Sequence, residues 1–255
     1  MRIEFENRLV LSAMAGINSA EFCIRHPVGL AILGGFNADS ISNEAGKRVS
    51  IRGRKEFIFE EPIEGIEEEI KIMKRFGKNF AVNVRSGTID GYVSVAEIVK
   101  KYGGILEINA HCRQPEFIEI NCGQWLIFHP DKLASVISEV SKVDLPISVK
   151  LRGGMDVDYP EIVGGIRKAG CNIIHLDAMI EGGGCDFNLL SKISGNGFLI
   201  GNNSVVDIDS AERVLKTGAD MVSAARSALK DENFFRKLLK SNFLAERVEL
   251  DLNRR

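Results

Sequence analysis

The sequence predicts a single-domain (β/α)8 TIM barrel, and three observations lead to this fold class. Eight short apolar runs recur along 255 residues, helical segments separate them, and polar or small residues follow nearly every run. Parallel strands that alternate with helices close into a barrel in chains of about this length. We therefore expect one domain over residues 1–255, with a functional site built by the loops that follow the strands.

Each apolar run has the length of one buried strand in a parallel sheet. In chain order the runs cover residues 9–14, 28–33, 80–84, 105–109, 147–151, 172–177, 198–201 and 220–224. The residues after each run belong to the mouth of the predicted barrel. They are Ala15-Gly16, Gly34-Gly35, Arg85-Ser86-Gly87, His111-Cys112, Arg152-Gly153-Gly154, Ala178-Met179, Asn202-Asn203 and Ala225-Arg226-Ser227.

The segments between the runs carry the amphipathic pattern of helices that lie on a sheet. We predict helices over residues 66–76, 93–102, 130–143, 160–169 and 209–217, and a last helix over 234–244 before a short charged tail. Four of these segments are followed directly by glycine, a residue that commonly ends a helix. This alternation is typical of repeated βα units.

Two connections are longer than the others, and loops of more than about 12 residues are uncommon unless they bind ligands or act as lids. The first, residues 37–59, is either a binding loop or a solvated helix with a charged face. Its basic residues, which would be the best candidates to contact RNA phosphates, are Lys47, Arg48, Arg52, Arg54 and Lys55. The second, residues 113–125, follows the strand with the most reactive side chains, and there we favour a functional loop.

Composition describes an ordinary globular chain, with 45% hydrophobic and 27% charged residues and a net charge of −2. This charge gives no global basic field of the kind that nucleic-acid-binding proteins carry. The N-terminus does not resemble a signal peptide, and no apolar stretch approaches the roughly 20 residues needed to cross a bilayer. We expect a cytoplasmic protein without membrane contact.

Five cysteines show no C-x-x-C spacing, which argues for reduced thiols and against a metal site. Cys23, Cys171 and Cys185 are interpreted as packed core residues, since most free cysteines behave as small apolar side chains. Cys122 lies in the second long connection and is open to either interpretation. Cys112 is different because polar residues flank it at a strand end.

Asn109-Ala110-His111-Cys112-Arg113 is the strand end with the most reactive side chains. A thiol beside an imidazole and a guanidinium can have altered acidity and can act as a general acid. The alternative is again a small packed side chain. The polar neighbours of Cys112 and its place at the mouth favour the acid.

Lys150 and Arg152 lie two residues apart on one predicted strand and therefore point to the same face. Burying a lysine is costly without an anionic partner. That partner is either a cofactor ring or phosphate, or a barrel carboxylate such as Glu107 or Asp177. His175, near the end of the next strand, either donates to a ring or substrate or is a core histidine satisfied by the backbone.

The last two strands end at Asn202-Asn203-Ser204 and Ala225-Arg226-Ser227. Loops after the seventh and eighth strands of such barrels recurrently bind phosphate through backbone N–H groups. The small residues allow a phosphate to approach, and Arg226 would add positive charge. We therefore predict a phosphate site at these two loops.

These residues, in this order, resemble the tRNA-dihydrouridine synthase family of FMN-binding barrels and, more distantly, the dihydroorotate dehydrogenases. Residues 13–18, Ala-Met-Ala-Gly-Ile-Asn, resemble the family's Pro-Met-Ala-Gly-Val-Thr. Residues 108–113, Ile-Asn-Ala-His-Cys-Arg, resemble its Ile-Asn-x-Gly-Cys-Pro, and residues 123–126 stand in place of Gly-x-x-Leu. Residues 149–152, Val-Lys-Leu-Arg, resemble Val-Lys-Ile-Arg.

The resemblance implies a role for each matching residue. Cys112 is implied to be the general acid that protonates the pyrimidine ring. The implied FMN contacts are Ala13, Met14, Ala15, Asn83, Asn109, Lys150 and His175 around the flavin, and Asn202, Asn203, Ala225 and Arg226 at its phosphate. The implied substrate contacts are His111, Arg113 and Arg152. No metal ligand is implied.

Departures from the family pattern concern the substrate more than the flavin. His111 replaces glycine, Arg113 replaces proline, and Asp177 stands where the family has arginine. The family also carries a helical tRNA-binding domain after the barrel, which we do not find after residue 244. We therefore expect a pyrimidine substrate, either free or in tRNA.

The expected function is that of an FMN-dependent oxidoreductase that reduces or oxidises a pyrimidine C=C bond, with NAD(P)H as reductant. Three alternatives stay open. They are a dihydroorotate dehydrogenase-like enzyme on a small pyrimidine, a flavin-free barrel enzyme on a phosphorylated metabolite, and a non-catalytic flavin-binding protein. The sequence leaves the reaction direction and the oligomeric state open, with a homo-oligomer among the options.

Overall fold

The computed structural model describes residues 2–252, in which eight parallel strands close into a barrel. The described residues form ten strands, of which β2 to β9 make the barrel: β1 Arg2–Phe5, β2 Leu9–Leu11, β3 Leu30–Asn37, β4 Phe80–Arg85, β5 Ile105–Ala110, β6 Ile147–Arg152, β7 Ile173–Asp177, β8 Phe198–Asn202, β9 Met221–Ala224 and β10 Val248–Asp251. Each strand from β2 to β8 pairs with the next one, and β9 pairs with β2, which closes the barrel. These eight strands are the eight predicted runs, so the predicted fold class is confirmed.

Helices connect the barrel strands and cover them from outside. They are α1 Ala20–Cys23, α2 Ser40–Ile51, α3 Pro62–Arg75, α4 Ile89–Tyr102, α5 Pro115–Ile118, α6 Pro130–Ser141, α7 Tyr159–Lys168, α8 Phe187–Ile193, α9 Ile208–Leu215, α10 Arg226–Lys230, α11 Phe234–Leu238 and α12 Asn242–Ala245. Residues Gly123–Phe128 form a 3-10 helix. None of the helices in residues 2–252 is both long and apolar enough to cross a membrane.

The C-terminal region differs from the single helix and charged tail that we predicted. The helix is interrupted, because Ser241 accepts a hydrogen bond from the backbone of Leu244 and begins the separate helix α12. Beyond it, β10 pairs antiparallel with β1. Phe5 and Leu250 are buried against the interior of the barrel, so this strand pair closes the end opposite the mouth.

The first long connection contains helix α2, so the helix interpretation is correct and the loop interpretation is wrong for residues 40–51. Asp39 caps the helix: its carboxylate accepts from Ser42 N at 2.8 Å, while Asp39 N donates to Ser42 Oγ at 3.2 Å. This reciprocal cap was visible in the sequence as Asp-x-x-Ser. The second long connection also carries structure, as α5 and the 3-10 helix.

Apolar packing between the strands and the helices forms the main core. The barrel interior is different towards the mouth, where polar side chains replace apolar ones. The buried polar residues of the barrel strands and of the connection between β2 and α1 are Ser12, Asn18, Asn37, Asn83, Arg85, Glu107, Asn109, Ser148, Lys150, His175 and Ser223. A concentration of buried polar groups needs internal partners, and these partners define the site.

Candidate active site

Glu107 on β5 is the centre of a buried hydrogen-bond network. Its Oε1 accepts from Asn83 Nδ2 at 2.8 Å, and its Oε2 accepts from Ser148 Oγ at 3.0 Å. His175 Nδ1 lies 2.8 Å from the same Oε2. Side chains from β4, β6 and β7 therefore converge on one carboxylate. The sequence indicates Glu107 only as a partner of Lys150, and it does not reveal this central role.

The network continues from Glu107 to the turn that carries Cys112. Asn109 Nδ2 donates to Asn83 Oδ1 at 2.8 Å. Asn109 Oδ1 in turn accepts from the backbone N–H groups of His111 at 3.0 Å and Cys112 at 2.8 Å. Asn83 and Asn109, both predicted flavin contacts, thus also fix the turn after β5.

On its other side the network reaches the ends of β8 and β9. His175 Nε2 lies 2.8 Å from Ser223 Oγ, and Asn202 Nδ2 donates to the same oxygen at 2.6 Å. Both nitrogens of His175 are therefore engaged by protein groups. The structure places His175 and Asn202 in one network through Ser223, and their predicted roles at the flavin ring and at its phosphate stay predictions.

Electrostatics fix the protonation states in this network. Burial opposes ionisation of Glu107, but the neighbouring His175 and Lys150 hold its pKa at about 2. Burial lowers the pKa of His175, in spite of the opposing effect of Glu107. Glu107 is therefore ionised and His175 neutral at pH 7, with the proton on Nδ1 where it donates to Glu107.

Lys150 lies between Asn109 and His175, which are its register partners on the adjacent strands. Its Nζ donates to Ser12 Oγ, and the residue is only 5% exposed. Burial lowers the pKa of Lys150, while the charges of Glu107 and Asp177 oppose this effect. Lys150 is therefore buried inside the barrel below the mouth, near the carboxylates of Glu107 and Asp177. Its hydrogen bond goes to Ser12 and to neither carboxylate.

A second polar cluster lies at the rim of the mouth and joins two departures from the family pattern. His111 Nε2 lies 2.6 Å from Asp177 Oδ2, and Asn203 Nδ2 donates to Asp177 Oδ1 at 2.7 Å. Burial alone would raise the pKa of Asp177, but the hydrogen bond from His111 holds it well below its usual range. The residues that replace the family's glycine and arginine are thus partners of each other.

Cys112 is partly exposed at the mouth, and a charged side chain lies close to its thiol, that of Arg85 at the end of β4. Arg85 Nη1 lies 3.7 Å from Cys112 Sγ. The Arg85 side chain is 1% exposed and forms an ion pair with Glu56, whose side chain is 3% exposed. Neither residue was assigned to the site from the sequence, although Arg85 stands directly after an apolar run.

The other cysteines are buried, as predicted for Cys23, Cys171 and Cys185. Cys122 is also buried, with its Sγ 3.8 Å from the hydroxyl of Tyr92. Burial raises the pKa of Cys122 to about 11. This settles the open interpretation of Cys122 in favour of packing.

The remaining predicted residues lie around this centre. Ala13, Met14 and Ala15 are partly exposed in the turn after β2, while Arg113 and Arg226 are exposed. Arg152 is half-buried, and its guanidinium contacts Met179 Sδ at 2.7 Å. Ser227 Oγ donates to Val205 O at 2.7 Å and so ties the loop after β9 to the loop after β8, which contains Asn203.

Most of the predicted RNA-contacting cluster is engaged within the protein. Lys47 pairs with Glu44, Arg48 with Glu119, and Arg52 with Glu116, where Arg52 Nε lies 2.7 Å from Glu116 Oε1. The pair of Lys47 lies within α2, while the pairs of Arg48 and Arg52 join α2 and its C-terminal end to the region of α5. Contact of these side chains with RNA phosphates stays a prediction, and Arg54 and Lys55, both exposed, could make it without giving up one of these ion pairs.

Comparison with known proteins identifies relatives of this barrel. The family model described as dihydrouridine synthase matches residues 79–250. The uncharacterized protein MJ0144 of Methanocaldococcus jannaschii is 30% identical over 250 residues, covering 94% of this chain and 96% of that protein.

Two solved structures share the fold at 13% sequence identity. The old yellow enzyme homologue of Zymomonas mobilis has a TM-score of 0.61 and is covered over 92% of both chains. A variant of FabK from Thermotoga maritima has a TM-score of 0.55, with 88% of this chain and 62% of the FabK chain covered.

Proposed function

Because this chain belongs to the dihydrouridine synthase family, we propose that it is an FMN-dependent oxidoreductase that acts on the C=C bond of a pyrimidine. FMN lies at the mouth of the barrel in this proposal, NAD(P)H reduces it, and Cys112 is the acid. Family membership supports a flavin oxidoreductase. The finer assignments rest on the contacts at the mouth.

The buried ammonium of Lys150 is the observation that carries the proposal. Within residues 2–252 its hydrogen-bond acceptor is Ser12 Oγ, which leaves N–H groups of the ammonium free. Burial of a cation is costly unless acceptors surround it. The carbonyl oxygens and ring nitrogens of a flavin are suitable acceptors, so the residues present fit FMN.

The loops after β8 and β9 are the proposed place of the phosphate. Asn203 and Ser204 have φ values of +126° and +53°, and this left-handed backbone turns the loop back at the mouth. The bond from Ser227 to Val205 holds the two loops side by side. Loops in this position are the recurrent phosphate site of such barrels, and exposed Arg226 would add charge.

Bound FMN would supply or accept the hydride at one carbon of the pyrimidine C=C bond. In the reducing direction, Cys112 would donate its Sγ proton to the other carbon. The turn that carries this thiol is fixed on both sides, since Cys112 N donates to Asn109 and Cys112 O accepts from Gln124 N at 2.8 Å. A fixed donor is what proton transfer to a bound ring requires.

Turnover by the reduced protein tests the proposed reaction. The protein is reduced with NADPH or NADH without oxygen and mixed with unmodified tRNA, uridine, uracil or orotate, and reoxidation of the flavin is followed. Reoxidation by tRNA or by a free pyrimidine supports the proposal and identifies the form of the substrate. Failure of all of them, together with failure of the reduced pyrimidines to reduce the oxidised protein, contradicts it.

Binding of tRNA is measured separately, because it does not depend on the cofactor. If Arg54 and Lys55 contact phosphates, affinity falls roughly linearly on a log–log plot against salt concentration. Reversal of both charges to Glu then reduces both the affinity and the slope, while Lys47→Glu, at a residue paired with Glu44, has a smaller effect. The absence of tRNA binding at low salt would favour a free pyrimidine.

A further inference from the structure

Arg85 and Glu56 form a buried ion pair directly beside the Cys112 thiol. Both Nη atoms of Arg85 face the carboxylate of Glu56, and Nη1 also lies 3.7 Å from Cys112 Sγ. The aromatic ring of Phe117 covers the guanidinium, with its centroid 3.9 Å from Arg85 Cζ. The cation therefore has one face on a ring, one edge on a carboxylate and one nitrogen on the thiol.

The position of this pair is fixed by backbone contacts. Arg85 Nη2 donates to Gly35 O at 2.7 Å. Glu56 reaches the mouth because its segment lies directly on Gly16, where an added Cβ would be 2.5 Å from Glu56 N. The φ of Gly16 is +69°, which also disfavours a side chain there. A short side chain at Gly16 would thus displace Glu56.

We propose that Arg85 and Glu56 are a positioning pair that sets the charge around the Cys112 thiol, with Arg85 stabilising the thiolate and Glu56 limiting that effect. The inference rests on the proposed role of Cys112 as acid. When Cys112 has given its Sγ proton to the substrate carbon, and hydride from the reduced flavin has gone to the neighbouring carbon, the sulfur carries a negative charge. Arg85 stabilises this charge until a proton from solvent restores the thiol.

Other groups around Cys112 do not compete for this role. The thiol of Cys122 is buried against Tyr92. The imidazole of His111, which precedes Cys112 in the chain, is bound to Asp177. Arg113 is exposed to solvent. Arg85 and Glu56 are therefore the charged groups, buried within the mouth, that act on Cys112 Sγ.

Alkylation of Cys112 in the purified full-length protein, with no substrate or reductant present, tests the pair. The rate of reaction with iodoacetamide is measured against pH, and the labelled cysteine is identified by peptide mass. Cys112→Ser controls for labelling of the buried cysteines. The midpoint of the pH–rate profile reports how strongly the surroundings favour the thiolate.

The proposal predicts opposite shifts for the two partners. Arg85→Met raises the midpoint by about one pH unit or more, because a cation near the thiolate is lost and Glu56 is left beside it. Glu56→Gln lowers the midpoint, because Arg85 is no longer compensated. The double variant Arg85→Met/Glu56→Gln buries no unpaired charge, and its midpoint lies between those of the two single variants.

If Arg85 and Glu56 only support the fold, the result is different. Their loss then makes the loops at the mouth more mobile, which changes the plateau rate of alkylation in the same direction in all variants. The midpoints of the pH–rate profiles stay unchanged. That result, or single variants whose midpoints do not move in opposite directions, overturns the proposal. If the midpoints shift as predicted but no pyrimidine is turned over, the charge relationship holds and the proposed function fails. If turnover occurs with unchanged midpoints, only the role of the pair fails.

Discussion

His175 donates from Nδ1 to Glu107 Oε2 over 2.8 Å, and both side chains are completely buried. The pair joins β5 to β7 and lies at the centre of the network that runs from Asn202 to the Cys112 turn. Removing the Glu107 carboxylate should destabilise the protein, because the buried donors around it have no water to take its place as acceptor. The stability of the barrel and the geometry of the mouth therefore depend on the same carboxylate.

Replacing Glu107 with Gln removes this charge and presents an N–H group to donors. We expect the free energy of unfolding to fall by about 1–3 kcal/mol, the range found when a buried hydrogen-bond donor loses its acceptor. Urea unfolding measures the change. Glu119→Gln is the control, because the exposed pair of Glu119 with Arg48 should contribute at most about 1 kcal/mol. Equal effects of the two substitutions would show that the network does not stabilise the barrel.

The same residue predicts a pH dependence. The pKa of Glu107 is lowered from its ordinary 4.5 to about 2 in the folded protein. The unfolded chain therefore binds the proton more readily, and the stabilisation is complete above pH 4.5 and is lost as pH falls towards 2. Unfolding experiments at several pH values should show this loss in the wild-type protein and a weaker loss in Glu107→Gln.

The parts of the fold and of the site that a short stretch of sequence specifies were predictable, and the parts that join distant residues were not. The eight barrel strands were predictable because each is one apolar run, and their ends therefore brought Asn83, Asn109, Lys150 and His175 to one place. Strands β1 and β10 were missed because they are short and pair across almost the whole chain. The pair of Arg85 and Glu56 was missed because it joins residues 29 apart through a segment without periodicity.

Lys150→Ala tests the proposed flavin contact. Loss of the ammonium should weaken FMN binding about tenfold or more, since hydrogen bonds to charged groups contribute about 1.5–3 kcal/mol. Titration of apoprotein with FMN, followed by flavin fluorescence, gives the Kd. Lys142→Ala, at an exposed residue on the helical layer, should leave it unchanged. An unchanged Kd in Lys150→Ala would remove this lysine from the flavin site.

Cys112→Ala tests the proposed acid. The variant should retain FMN and be reduced normally, while the half-reaction with substrate slows by about 10²–10⁴-fold. Stopped-flow measurement of flavin reoxidation gives this rate. Cys171→Ala is the matched control, because Cys171 is buried away from the mouth and should show no such defect. If both variants slow equally with the fold intact, Cys112 is not the acid.

His26 predicts a pH effect on stability that is independent of the site. It is 3% exposed, lies between the rings of Phe22 and Phe235, and neither of its ring nitrogens has a hydrogen-bond partner in the part of the chain that the structure describes. Burial, followed by the charge of Lys78, lowers its pKa below the ordinary 6.5. The unfolded chain takes up the proton first, so stability falls as pH drops below 6.5, by at most about 1.4 kcal/mol per pH unit.

His26→Leu should remove this part of the pH dependence, because leucine keeps the apolar contacts and has no group to protonate. Thermal unfolding at pH 7.5 and pH 5.5 measures it. The exposed His129 supplies the control substitution, His129→Gln, which should leave the dependence in place. Identical pH dependence in wild type and His26→Leu would show that His26 accepts a proton without cost in the folded state.

The absorption spectrum of the purified protein, with identification of the cofactor released on denaturation, tests the central claim most directly. We predict the two visible bands of an oxidised flavin and the release of FMN, in a ratio close to one per chain after reconstitution. Bleaching by NADPH or NADH would support the proposed reductant. A colourless protein that binds no added FMN would contradict the account, because Lys150 and the loops after β8 and β9 would then serve another ligand.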